Sequence, residues 1–180
     1  MNFLLIGKVN VGKTSIYNIL TGLHSNIVHL EAGTTRDWHS EKIKDSSSNI
    51  YDTPGVLIND TNKKEIFTTI FNKIIKKKID TFLYVIDYND LFNETDKFAI
   101  TKLRKYNKEI ILIVNKFDNY NQSPNSEISK YKINKVIFLS CIHRYGFDEL
   151  KNTICVKKYN NHFDKKQKDD FSLAIFGKPN

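Results

Sequence analysis

Residues 7 to 14 read Gly-Lys-Val-Asn-Val-Gly-Lys-Thr, which matches G-x(4)-G-K-[ST] in full. These residue types at this spacing suit one chemistry, the holding of a polyphosphate. Gly7 and Gly12 let the backbone bend so that successive N–H groups, from Lys8, Val9, Asn10 and Val11 onward, face phosphate oxygens. Lys13 reaches the β- and γ-phosphates, Thr14 brings a hydroxyl to Mg²⁺, and Ser15 follows at the start of a helix. The motif needs a buried strand before it and a helix after it. "FLLI" and "KTSIYNILTGL" supply both.

Two later stretches extend that chemistry. In Asp52-Thr53-Pro54-Gly55-Val56, an Asp at a strand end can hold Mg²⁺ through water, and the Gly55 N–H can meet a γ-phosphate. Alone this would be a plain turn; downstream of a phosphate loop the reading reverses. Asn115-Lys116-Phe117-Asp118 follows the apolar run "IILIV". A carboxylate at Asp118 accepts from both N1–H and the exocyclic amine of guanine, a pair of donors that adenine does not offer. Asn115 would tie this loop to the phosphate loop, and Lys116 would lie across the base. In "LSCIHRYG", backbone N–H groups near Ser140 and Cys141 would meet the guanine O6.

Those residues need a scaffold. Apolar runs suited to strands buried on both faces occur at "FLLIG", "TFLYVID", "EIILIVNK" and "KVIFLS". Helical periodicity marks "KTSIYNILTGL", "KKEIFTTIFNKIIKKK", "ETDKFAITKLRKY" and "GFDELKNTI", and in the second of these Ile66, Ile70 and Ile74 recur every fourth residue. "DWHSEKIK" and "SSNIYD" read as a weaker hairpin pair. Strand alternating with helix predicts an α/β fold, a mostly parallel sheet with helices on both faces and right-handed crossovers.

Composition bounds the rest. With 180 residues, 40% hydrophobic and 27% charged, the chain reads as a globular domain with a substantial core. The formal net charge of +8 fits a polyanionic partner and equally fits a Lys/Asn/Ile-rich compositional bias, since the lysines are spread along the chain. Cys141 and Cys155 lack ligand spacing, and His24, His29 and His143 show none among themselves, which argues against a zinc site or a disulfide framework and fits reduced thiols in cytosol. No apolar run approaches a membrane span, and none resembles a signal-peptide core. Lys76, Lys77 and Lys78 read as a helix end, where positive charge suits the dipole.

The order of "GKVNVGKT", "AGTTRD", "DTPG", "NKFD" and "SCIH" resembles the translation-factor-like GTPases and, within them, the Der (EngA) family. The resemblance covers the whole chain. It implies a P-loop GTPase fold with a six-stranded sheet, a Mg²⁺-dependent GTPase turning GTP into GDP and phosphate, and a cytoplasmic role in assembly of the large ribosomal subunit. In that family two GTPase domains stand in tandem before a KH-like domain. "SLAIFGKPN" then looks like the opening of the second domain, since it repeats the pattern of "NFLLIGKVN". The expected organisation is a first GTPase domain over 1–156, a polar linker over 157–171 and the start of a second domain over 172–180. The stretch itself is expected to be monomeric, with ribosomal RNA met through the full-length protein.

Residue by residue, the resemblance implies Lys13, Thr35 and Gly55 as the catalytic set, with Thr14, Thr35, Asp52 and Asn10 toward metal ions. Thr35 would close over the γ-phosphate as a second Mg²⁺ ligand, and Arg36 reads as structural or partner-facing. Asn10 stands where potassium-dependent relatives coordinate K⁺. Val56 stands where Ras-like enzymes carry a water-positioning Gln. Departures from the family are Lys8-Val9 in place of Arg-Pro, Cys141 in place of Ala, and a linker of mixed rather than acidic charge. Alternatives are a nucleotide-gated binding module with negligible hydrolysis, an Era-like or tRNA-modifying GTPase, and a P-loop ATPase. Asp118→Asn separates the last. Guanine-nucleotide binding is expected to fall by more than about tenfold, roughly the 1–3 kcal/mol of a bidentate contact to a base edge, in a fluorescent-GDP titration; tight ATP binding left unchanged would favour the ATPase.

Overall fold

The computed structural model describes residues 1–23, 39–53, 77–91, 93–119, 121 and 123–155. Within them six strands form one sheet: β1 (Asn2–Gly7), β2 (His39–Lys42), β3 (Asn49–Asp52), β4 (Thr81–Asp87), β5 (Glu109–Asn115) and β6 (Lys135–Phe138). Their order is β2-β3-β1-β4-β5-β6, antiparallel only between β2 and β3. Three helices, α1 (Lys13–Thr21), α2 (Glu94–Arg104) and α3 (Phe147–Cys155), and a 3₁₀ turn over Ser126–Tyr131 connect them. The hairpin read from the weak strands is present as the β2–β3 pair. The helix expected over residues 63–78 falls mostly outside the described residues, as do 157–171 and 172–180.

Alternation along the central strands feeds two separate cores. Phe82, Tyr84 and Ile86 of β4, with Leu4 and Ile6 of β1, pack toward Ala99, Ile100 and Leu103 of α2. Leu83 and Val85, with Phe3 and Leu5, pack toward Ile16 and Leu20 of α1 and Leu150 and Ile154 of α3. A strand with period 2 and apolar residues on both sides must be covered twice, which is why helices flank both faces.

The parallel strands all end at one edge of the sheet, so the loops leaving β1, β3, β4, β5 and β6 gather there. α2 begins beside them with Asn93 as its cap, the Asn93 side chain accepting from the Asp96 N–H at 3.0 Å. The turn from β6 into α3 closes on itself: Ser140 and Tyr145 exchange backbone hydrogen bonds at 3.2 and 3.1 Å. Gly146 then enters α3 at φ 77°, with its α-carbon face against Phe138. A Cβ there would lie 2.0 Å from the Phe138 carbonyl oxygen. Gly146→Ala is therefore expected to destabilise the domain by at least about 2 kcal/mol, from left-handed strain plus the backbone clash, read as a lowered urea midpoint.

Candidate functional site

The phosphate loop leaves β1 at Gly7 and enters α1 at Lys13. Asn10 takes a left-handed conformation (φ 62°) with its side chain exposed, Val9 is exposed, and Val11 turns inward and is buried. Gly12 precedes α1 at φ 96° and offers no side-chain cap, and no acidic residue occupies the first turn. The positive end of α1 is thus open to an anion. Thr14 and Ser15 are exposed on that turn.

Lys13 is buried, and its Nζ donates to the Lys8 carbonyl at 2.5 Å. Burial pulls its pKa down to about 8, and the nearby Asp52 carboxylate opposes that shift. A polyphosphate arriving at this cradle would supply the charge that keeps the ammonium protonated. Asp52, buried at the end of β3, accepts from the Thr14 hydroxyl at 2.8 Å. Thr53 is also buried, and its hydroxyl donates to the Leu5 carbonyl at 2.8 Å, fastening the end of β3 to β1. A hydroxyl and a carboxylate side by side at the mouth of a phosphate loop are hard oxygen donors. That donor set fits Mg²⁺, which takes few protein ligands and completes its shell with water and phosphate oxygens.

The loops after β5 and β6 form the other half of the site. Asn115 is buried, and its Nδ2 donates to the Val11 carbonyl at 2.9 Å. A Cβ on Gly12 would lie 2.2 Å from that nitrogen, so Gly12 is bare because Asn115 fills the space. Lys116 is left-handed (φ 62°), its Nζ donating to Asp87 at 2.6 Å. Phe117 is buried between Tyr88 and Phe138, with ring centroids 5.0 and 4.9 Å away. Asp118 stands exposed at the tip and accepts from the Ser140 hydroxyl at 2.6 Å. The Ser140 N–H donates to the Tyr145 carbonyl, and its hydroxyl to Asp118. Cys141 is half-buried, and burial pushes its thiol up to about 11, which marks a packed neutral side chain rather than a nucleophile.

Thr35, Arg36, Pro54, Gly55 and Val56 lie outside the described residues. The other candidates come together: the loop from Gly7 to Ser15, Asp52 and Thr53, Asn115 to Asp118, and Ser140 with Cys141 all stand at the C-terminal edge of the sheet.

One group of residues escaped the sequence reading. Lys8 ion-pairs with Asp90, and its Nζ lies 3.8 Å from Asp96. Asp96 is fully buried near the start of α2, where it accepts from the Tyr84 hydroxyl at 2.8 Å and the Tyr131 hydroxyl at 3.4 Å. Burial raises its pKa, while the tyrosines and Lys8 resist the rise. Lys8 therefore links the start of α2 to the carbonyl that holds Lys13. An acidic residue at the third position of a capped helix is an ordinary capping pattern, so nothing local set Asp96 apart.

A phosphate loop at the end of β1, joined by an asparagine to a base-side loop at the end of β5, defines a P-loop GTPase-type nucleotide-binding domain. The chain belongs to the 50S ribosome-binding GTPase family, whose model matches residues 2–116. It is 32% identical over 179 residues to GTPase Der of Mycoplasmopsis pulmonis, covering 98% of this chain and 40% of that relative. It therefore spans well under half the length of that protein. Among solved structures it is similar to Era of Aquifex aeolicus bound to GDP and aluminium fluoride, with a TM-score of 0.63 and 27% identity over 85% of this chain and 55% of that one. The FeoB G-domain of Methanococcus jannaschii gives 0.61 and 26%, covering 85% and 94%.

Lys8→Met removes the link to α2 while Lys8→Arg preserves it. Guanine-nucleotide dissociation is expected to accelerate by about tenfold in Lys8→Met, equivalent to about 1.4 kcal/mol, and to stay near wild type in Lys8→Arg. Stopped-flow release of a fluorescent GDP measures both.

Proposed function

We propose that this chain is a guanine-nucleotide-binding domain that hydrolyses GTP to GDP and phosphate with Mg²⁺. The observation that carries the reading is the bridge from Asn115 to the Val11 carbonyl. It holds a loop suited to phosphates against a loop whose exposed carboxylate, Asp118, is set by Ser140. Neither half alone distinguishes a nucleotide from another anion; together they support a phosphate chain at one end and a base with paired donors at the other.

In this reading the N–H groups from Gly7 to Ser15 surround the phosphates and Lys13 moves from the Lys8 carbonyl onto phosphate oxygens. Asn115 keeps the two loops at fixed separation, the Lys116 stem lies along the base while its ammonium stays with Asp87, and Asp118 takes both guanine donors. Phe117 anchors that loop from below. Cys141, whose N–H belongs to the same turn, is assigned to the guanine O6. When bound, Mg²⁺ neutralises charge on the β- and γ-phosphates, and Thr14 and Asp52 are the described residues that would hold it. Thr35 and Gly55 are assigned to the γ-phosphate, and Asn10, exposed on the rim of the loop, to K⁺. The catalytic gain sought from these groups is electrostatic and positional, as phosphoryl transfer requires.

The wider role follows from kinship. We assign the chain to a Der-like protein of the cytoplasm that acts in assembly of the large ribosomal subunit and meets ribosomal RNA through its full length.

Single-turnover assays with enzyme in excess, in K⁺ and in Na⁺, test the enzymatic reading. GTP is expected to decay faster than in protein-free buffer, and faster in K⁺. Decay at the background rate in both salts, with GDP still bound, would leave a nucleotide-gated binding module in its place.

A further inference from the structure

The lysines that look scattered along the chain are not scattered in space. Each of the last three strands is entered through a segment carrying two of them: Lys77 and Lys78 before β4, Lys105 and Lys108 before β5, Lys132 and Lys135 at the entry to β6. β4, β5 and β6 are parallel neighbours, so these entries stand side by side at the N-terminal edge of the sheet, opposite the edge that carries the phosphate loop. Adjacent strands are about 4.8 Å apart, so the three entries lie close together along that edge.

The row is built rather than loose. The Asn2 side chain donates to the Lys77 and Lys78 carbonyls at 3.0 and 3.2 Å, joining the entry of β4 to that of β1. The Arg104 guanidinium donates to the Tyr131 and Lys132 carbonyls at 2.7 and 2.9 Å, joining the end of α2 to the entry of β6. Lys78, Asn107 and Lys132 each hold a left-handed conformation, with φ of 49°, 51° and 51°. Glycine or asparagine takes that conformation more easily than lysine does, yet two of the three positions are lysines.

All six side chains are exposed, and among the described residues none forms an ion pair, although the Lys77 ammonium lies over the Tyr51 ring of β3, 5.8 Å from its centroid. The lysines at the other edge differ: Lys8 and Lys116 are held by carboxylates. Among the described residues the carboxylates adjoining these segments in sequence are Asp80, which accepts from the Asn2 N–H at 2.8 Å, and Glu109. Like charges gathered on one edge repel one another, and a polyanion relieves that repulsion while releasing its counterions.

We propose that this edge binds the phosphate backbone of a nucleic acid, at a surface separate from the nucleotide site and independent of which nucleotide fills it. Asn107 and Asn134, which stand between the lysines, add polar contacts for phosphate and sugar oxygens. Among the described residues the exposed large apolar side chains are Met1, Val9, Leu23, Ile142 and Tyr145, and none lies on the segments entering β4, β5 or β6. A surface built to enter a lipid headgroup layer would interleave such side chains with its cations. Backbone contacts of this kind carry no base sequence, so the surface grips rather than reads.

Matched variants of the full chain test this. Lys105→Gln, Lys108→Gln and Lys135→Gln together remove three charges from the row. Lys42→Gln, Lys97→Gln and Lys151→Gln remove the same number elsewhere. Binding of a labelled RNA duplex and a labelled DNA duplex is followed by fluorescence anisotropy across a salt series, beside sedimentation with anionic phosphatidylserine vesicles. GDP affinity serves as the check that both variants fold. The row variant is expected to lose at least about tenfold in duplex affinity at low salt, and the slope of log K against log salt to fall by about two to three. The matched variant stays within about twofold of wild type, as a charge off the contact surface should. Equal losses in the two variants would mean that net charge alone drives binding and would overturn the proposal. Binding to vesicles without binding to either duplex, or no duplex binding by the wild type, would overturn it as well.

Discussion

A single side chain, Asn115, sits where a Cβ on Gly12 would have to be, and most of the site follows from that occupancy. β1 and β5 are not neighbours in the sheet; β4 lies between them. The Asn115 side-chain amide reaches across the end of β4 to the Val11 carbonyl, while the Asn115 backbone carbonyl accepts from the Tyr88 N–H at 2.9 Å. Three strand ends are thereby fixed to one another at the edge where the loops gather. Because the bond is buried, breaking it would leave polar groups without partners in a low-dielectric interior. The phosphate loop and the loop bearing Asp118 therefore hold one separation without any ligand. A site that is already spaced for its ligand loses less ordering entropy when the ligand arrives.

The polar groups around this bridge are arranged in pairs. Lys13 rests on a carbonyl, Thr14 rests on Asp52, Lys116 rests on Asp87, and Ser140 rests on Asp118. Each contact gives a donor of the site a partner within the domain. Lys8 is different, since Asp90 and the buried Asp96 hold its side chain away from the cradle while its carbonyl faces inward. It acts on the loop through its backbone. The open N-terminus of α1, with neither a capping side chain nor an acidic first turn, completes a field that favours negative charge.

The two edges of the sheet divide the charge between them. At the C-terminal edge Lys8 and Lys116 pair with carboxylates and Lys13 rests on a carbonyl. At the N-terminal edge of β4 to β6 the lysines stand exposed in a row. In a parallel sheet every strand enters at one edge and leaves at the other, so residues that precede strands are collected in one place whatever their distance along the chain. The +8 charge is spread along the sequence, while six of its lysines come to one edge of the sheet.

The phosphate loop, the strand and helix periods and the tetrapeptide from Asn115 to Asp118 were legible in the sequence because each is local. Backbone curvature at Gly7 and Gly12, a helix beginning at Lys13 and a buried run ending at Asn115 need only near neighbours to be recognised. The β2–β3 hairpin was legible for the same reason. What the sequence left open is contact across distance. That Ser140 gives its hydroxyl to Asp118 and its N–H to Tyr145, that Lys8 answers a carboxylate buried at the start of α2, and that lysines from three separate segments form one row depend on strand order and register. Those depend in turn on how two apolar faces are covered at once. Hydrophobic period specifies which residues go inside; only the packed sheet decides which polar residues meet when they do.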